Sequence, residues 1–319
     1  MPLDPQVRRY LDQVAQLGLR PVEELTPEQA RSQSEQSAAA LFGEPEEVGS
    51  IEDLEVEGVP VRSYTPAAVP PDGGRLPLAV FLHGGGWVVG SLDMYDGVCQ
   101  FLANHVPCRV VSVGYRLAPE HPFPAALDDS WAVTQWAFGQ AGRVAVVGDS
   151  AGGNLAAVMA LRARDAGLPL AFQLLIYPVT DNNFDTASYS ANATGMGLTQ
   201  LAMRWYWDKY LAGSDGGHPD ASPLRAADLS GAAPALVIVC EYDPLRDEGV
   251  AYAERLKEAG VTASLSEYEG MIHGVLRMGA LIDRSHAVLA ESAEALRRAL
   301  GGEPPRPGGQ SQAPDQGTL

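Results

Sequence analysis

A serine held between glycines is the first residue in this sequence that could do chemistry. Gly148-Asp149-Ser150-Ala151-Gly152 follows the apolar run Val144–Val147 and precedes a helical stretch. A strand that turns sharply into a helix forces the residue at the turn to positive φ, and small residues two positions away relieve the collision. The hydroxyl is then lifted above the sheet edge, beside the free N–H groups of a helix N-terminus that favour developing negative charge. Ser150 is the candidate nucleophile.

Such a hydroxyl needs a base, the base needs an orienting acid, and the reaction needs N–H donors for an oxyanion. His83-Gly84-Gly85-Gly86-Trp87 follows the apolar run Leu78–Leu82. Its glycines let the backbone approach a ligand closely; Gly84 and Gly85, joined by the Ala151 N–H, are the expected donors. His83 reads as an orienting partner in that loop, not as the base. No GxGxxG or GK[ST] is present there, which argues against phosphate binding.

Three of the six histidines follow Ser150. His218 falls in an insert and His286 at the start of the last helix, whereas His273 lies in a glycine-flanked loop after a strand. His273 is the candidate base. The acid should stand just past the preceding strand, where Asp243 is pinned by Pro244. Asp247 is the runner-up; it and Glu248 also suit the first turn of the next helix.

These residues need a frame. Ile51–Glu57 and Val59–Tyr64 alternate with period two about Gly58 and predict an antiparallel hairpin. Leu78–Leu82, Arg109–Val113, Val144–Val147, Leu170–Tyr177, Ala235–Cys240 and Val261–Tyr268 are short, rich in Val, Ile and Leu, and bounded by Gly or Pro. Helical patterns separate them over Tyr95–His105, Ala125–Phe138, Gly152–Ala166, Asp247–Ala259 and Ser285–Leu300. This alternation predicts an α/β fold with an eight-stranded, mainly parallel sheet covered by helices on both faces.

Val7, Tyr10, Leu11, Val14 and Leu17 recur at helical spacing, ended by Gly18 and Pro21, and a second helix should follow Thr26-Pro27-Glu28. The insert at 181–223 breaks the alternation and is too long for a simple loop. With residues 1–45 it is expected to form a helical cap on a catalytic domain spanning 46–300. Trp205 and Trp207 in the insert, with Trp87 and Ile272, are expected to line the substrate pocket; the competing reading of the insert's aromatics is that they pack the cap onto the body. The Gly/Pro/Gln-rich tail at 301–319 is expected to be disordered.

Composition narrows the function. The 319 residues carry 22 Lys+Arg against 40 Asp+Glu, a net charge of −18, which disfavours nucleic acid and anionic membranes as partners. The three cysteines, Cys99, Cys108 and Cys240, form no CxxC, so neither a disulfide framework nor a thiolate metal site is expected. No signal pattern or long apolar run appears, which points to a cytoplasmic protein.

Taken together, HGGGW at 83–87, GDSAGG at 148–153, Tyr115–Glu120 with Phe123–Ala126, Asp243–Glu248 and Gly270–Gly274 resemble the hormone-sensitive-lipase-like (bacterial family IV) esterases of the α/β-hydrolase superfamily. The likeness spans roughly residues 50–300. It implies a serine carboxylesterase acting on small-molecule esters of short-to-medium acyl chains, with no cofactor and no metal. Val275 departs from the family, which often has Phe there, and is expected to shape the pocket. Plant hormone receptors of this family have lost the histidine; here Ser150, Asp243 and His273 are all present. Amide or formamide hydrolysis on the same triad, and a non-catalytic ligand receptor on a hydrolase scaffold, are the rival readings. An exposed last strand could pair two copies into a homodimer.

Overall fold

The computed structural model describes residues 2–68 and 75–301. Apart from Gly301, the expected disordered tail lies outside them. The hairpin forms as β1 (Ser50–Val56) and β2 (Val59–Thr65), with Ile51 opposite Tyr64 and Val56 opposite Val59. β3 (Leu78–Leu82), β4 (Arg109–Val113), β5 (Val144–Asp149), β6 (Leu170–Ile176), β7 (Ala235–Tyr242) and β8 (Ala263–Ile272) complete the sheet. Its order is β1-β2-β4-β3-β5-β6-β7-β8; β2 runs antiparallel to both neighbours and the remaining pairs are parallel. β3 and β5 are buried at every residue, which is why they read as continuous apolar runs.

The helices are α1 (Pro5–Leu17), α2 (Pro27–Phe42), α3 (Asp96–His105), α4 (Ala125–Gln140), α5 (Ala151–Asp165), α6 (Ala187–Ala191), α7 (Gln200–Leu211), α8 (Arg246–Glu258) and α9 (Arg284–Leu300). Two cores lie on opposite sheet faces. Val80 packs with α4, α5 and α8, while its neighbours Ala79 and Phe81 pack with α3 and α9. The expected α/β architecture, with helices on both faces, is therefore present.

The N-terminal segment divides. α1 lies against β8: Asp4 N–H donates to the Gly270 carbonyl and Val7 is buried in the α3/α9 core. It belongs to the body, contrary to the expectation that all of residues 1–45 join the cap. α2 starts at a capping box, the Thr26 and Gln29 side chains each accepting the other's backbone N–H. Arg31 then ties α2 down, pairing with Glu120 and donating to the Val88 and Ala118 carbonyls. The insert contributes α6 and α7, and α7 packs on the 3₁₀ turn Val22–Glu24.

Candidate active site

β5 ends at Asp149 and α5 begins at Ala151, leaving Ser150 at φ 54° and ψ −119°. The backbones crowd at this turn. A Cβ on Gly148 would lie 2.1 Å from the Gly152 carbonyl oxygen, and one on Gly152 would lie 1.9 Å from that of Leu82. Only glycine admits both approaches.

Two adjacent strand ends supply the partners. β7 and β8 each run past the expected ends at Cys240 and Tyr268, and Tyr242 pairs with Ile272. Asp243 and His273 are therefore the next residues on neighbouring strands. His273 Nδ1 lies 2.7 Å from Asp243 Oδ2, and His273 Nε2 lies 2.9 Å from Ser150 Oγ. Asp243 is fully buried, and its other oxygen accepts the Leu245 N–H at 2.9 Å. A carboxylate can only accept, so Nδ1 carries the proton and Nε2 is free to take one from the serine. Asp247 is occupied elsewhere, accepting from Ser188 N–H, and Glu248 accepts from Thr180 N–H; neither side chain caps α8.

The glycine loop needs one correction. Gly84 N–H donates to Asp149 Oδ1 at 2.7 Å and lies 3.0 Å from the Tyr95 hydroxyl, so it has no hydrogen left for a substrate. Among the described residues, the N–H groups of Gly85, Gly86 and Ala151 have no acceptor. Tyr95 in turn donates to Asp149 Oδ2 at 3.0 Å. Burial raises the Asp149 carboxyl above its ordinary range, with Arg277, the Gly84 N–H and the Tyr95 hydroxyl opposing that rise. His83 is buried, stacks on Tyr115 at 4.1 Å and is pushed down to about 4 by desolvation, so it is neutral at pH 7. Tyr177 at the end of β6 sits 4.6 Å from the His273 ring centroid and fixes that face of the imidazole.

A cavity of about 160 Å³ opens on Ser150 and His273. Leu198, Met203 and Tyr206 from the insert form an apolar wall; Ser34, Tyr95 and Arg277 form a polar one. None of the four residues expected in the pocket lines it. Trp87 is fully buried, stacked on Tyr210 at 4.1 Å and 4.8 Å from Trp207. Trp207 is 2% exposed in the same cluster, Trp205 packs against the small cluster that holds Leu25, Ala30, Val88, Val89 and Ala118, and Ile272 is buried in the α3/α9 core. Val275 is also fully buried in that core and lines no part of the cavity. Trp205 and Trp207 pack the insert against the body, while Met203, one turn before Trp207, and Tyr206 also reach the cavity.

Asp149, Tyr95, Tyr177, Gly86 and Arg277 went unread in the sequence. Asp149 had a signal as the variable position of GxSxG, and Gly86 as the third glycine of HGGGW; the others depend on segments that meet only in space. Among the described residues no cluster of three or more His, Cys, Asp or Glu could hold a metal ion.

Comparison with known proteins agrees with this frame. Residues 79–277 match the family Abhydrolase_3, described as an alpha/beta hydrolase fold. The chain is 38% identical to an ethyl acetate hydrolase of Pseudomonas putida, covering 94% of this chain and 100% of that one. It is 42% identical to the carboxylic ester hydrolase LipN of Mycobacterium tuberculosis, over 78% of this chain and 70% of the relative. Among solved structures, a thermostable esterase from Pseudomonas putida superposes with a TM-score of 0.87 at 36% identity, covering 95% and 99% of the two chains. A serine-to-alanine mutant of an α/β hydrolase from the metagenome of Lake Arreo, Spain, gives 0.88 at 38% identity, covering 94% and 99%.

Proposed function

The chain belongs to the Abhydrolase_3 family of α/β hydrolases and is a carboxylic ester hydrolase; on that footing we propose that Ser150, His273 and Asp243 carry the reaction on short-to-medium acyl esters. The observation that carries this reading is the continuous Ser150–His273–Asp243 hydrogen-bond chain, at 2.9 and 2.7 Å, opening on the cavity.

Ser150 Oγ attacks the ester carbonyl carbon as His273 Nε2 takes its proton. Asp243 holds the imidazole in the required tautomer and stabilises its charged form. The carbonyl oxygen, now negative, turns toward the N–H groups of Gly85, Gly86 and Ala151, which replace Gly84 in the donor set. Each such donor is worth on the order of 3–4 kcal/mol in the transition state. His273 then protonates the departing alcohol, and water, deprotonated by His273, cleaves the acyl-enzyme.

The cap in this reading is the insert 181–223 with the chain from Val22 to Phe42, and α1 is part of the body. A 160 Å³ cavity is below the several hundred Å³ of drug-sized ligand sites, which supports small acyl groups. β8 is the last strand of the sheet, and pairing of two copies across it is the proposed route to a homodimer. No helix among the described residues is long and apolar enough to cross a membrane; a cytoplasmic location is part of the same proposal.

The test is a series of p-nitrophenyl esters from acetate to palmitate, run on the wild type and Ser150→Ala. A rate maximum at short-to-medium chains, lost in the variant, is the expected result. A rate that survives Ser150→Ala removes the assignment.

A further inference from the structure

Arg277 is a cation in the catalytic cavity that the hydrolytic steps do not use. It ends the 3₁₀ turn Val275–Arg277, just beyond His273. Its guanidinium stands 4.7 Å over the Tyr95 ring. Among the described residues no carboxylate pairs with it at ion-pair distance, and no acceptor takes its N–H donors. Other arginines of this chain, such as Arg31, Arg62, Arg116 and Arg246, are engaged by carboxylates.

The carboxylate that acts on it is Asp149, whose two oxygens are committed to Gly84 and Tyr95. Asp149 therefore balances part of the charge without occupying the fork of donors. Burial works against the charged form, but Tyr95, Asp149, Tyr177 and Tyr10 outweigh it and hold the guanidinium pKa above its ordinary range. The charge is permanent at any working pH.

Position gives this charge a use. α2 packs on both the Asp93–Tyr95 and Val275–Arg277 turns, so Ser34, Tyr95 and Arg277 make one polar wall. The wall formed by Leu198, Met203 and Tyr206 offers only contact area and one phenol. A planar guanidinium with unclaimed donors matches a carboxylate bidentately, a geometry no neutral chain can satisfy.

We propose that Arg277 is a specificity-determining residue that receives a carboxylate carried by the ester substrate. Half-esters of short dicarboxylic acids, or acyl esters of short hydroxy acids, are then a preferred substrate class. This inference rests on the ester-hydrolase reading of the same cavity.

Two matched pairs test it at fixed ionic strength. The p-nitrophenyl half-ester of glutaric acid is compared with p-nitrophenyl hexanoate, and the acetyl ester of glycolic acid with propyl acetate. Each pair is run on the wild type, Arg277→Lys and Arg277→Met. The readout is the ratio of kcat/KM for the acidic ester over the neutral one, so partial loss of folded enzyme cancels. In at least one pair the ratio should fall about ten- to a hundredfold in Arg277→Met, the usual worth of a charge-assisted hydrogen bond, with Arg277→Lys between the two. An unchanged ratio in both pairs, with the neutral esters still hydrolysed, overturns the inference alone. Failure of the wild type on every ester overturns the hydrolase reading and the inference with it.

Discussion

Asp149 Oδ1 accepts the Gly84 N–H at 2.7 Å, so the residue just before Ser150 holds the first glycine of the His83–Trp87 loop. With Tyr95 on its second oxygen, Asp149 couples the turn that presents Ser150 to the loop that presents Gly85 and Gly86. Two pieces of chain far apart in sequence are thereby held in one geometry.

This makes Asp149 a positioning residue. Asp149→Ala should lower kcat by about 10²-fold with a smaller change in KM, because misplaced donors fail the transition state more than the ground state. Asp149→Asn keeps one acceptor for Gly84 and should recover part of the loss. Steady-state kinetics of the two variants checks this; equal losses in kcat and 1/KM, unrepaired by Asn, would speak for a general structural role.

Ser150→Ala should reduce kcat on the order of 10⁶-fold, and His273→Ala should lose a comparable amount, because members of such a unit act together and not additively. Their combination should cost little more than either alone. Single-turnover assays on the three variants, with thermal melts as the folding control, provide the measurement.

Trp207 and Tyr206 should separate stability from selectivity. Trp207→Ala opens a hole in the cluster with Trp87 and Tyr210 and should cost about 3–5 kcal/mol of stability, leaving acyl preference in place. Tyr206→Ala widens the cavity and should move the rate maximum toward longer acyl chains. Urea titrations paired with the ester series distinguish the two; a selectivity shift in Trp207→Ala would reverse this assignment.

His83 should make the fold acid-sensitive. Its folded pKa is depressed to about 4 by burial. Between the unfolded value near ~6.5 and the folded value, the unfolded chain binds a proton that the native one refuses, so stability falls as pH falls. From pH 7 to about 4.5 this single group should remove roughly 2–3 kcal/mol. Glu248, whose carboxyl is raised by burial, acts in the opposite direction, its contribution growing as pH falls. Comparing unfolding free energies of the wild type and His83→Gln at both pH values isolates the histidine: the wild-type advantage should shrink on acidification, and a constant difference would contradict the assignment.

The alternation of apolar strands and helices was legible because each element carries its own period and punctuation, and continuous apolar strands call for cover on both faces of the sheet. The sharp turn at Ser150 was legible for a related reason, since the approach of Gly148 and Gly152 to neighbouring backbone leaves glycine as the one acceptable residue. Asp243 and His273 could be read from the strands they follow, although β7 and β8 run longer than their apolar cores suggest because their last pairs are fixed by each other. What tertiary structure alone decided is which atoms are already spoken for. Gly84 looked like a donor until Asp149 claimed its hydrogen. Trp87 and Trp207 looked like pocket walls until they packed against Tyr210 and each other. Arg277 carried no signal in the sequence; its turn places it beside Tyr95 at the cavity. Residue type and spacing specify local geometry, because backbone sterics act over a few residues. Hydrogen-bond partners and side-chain faces depend on segments that meet only once the whole chain has packed.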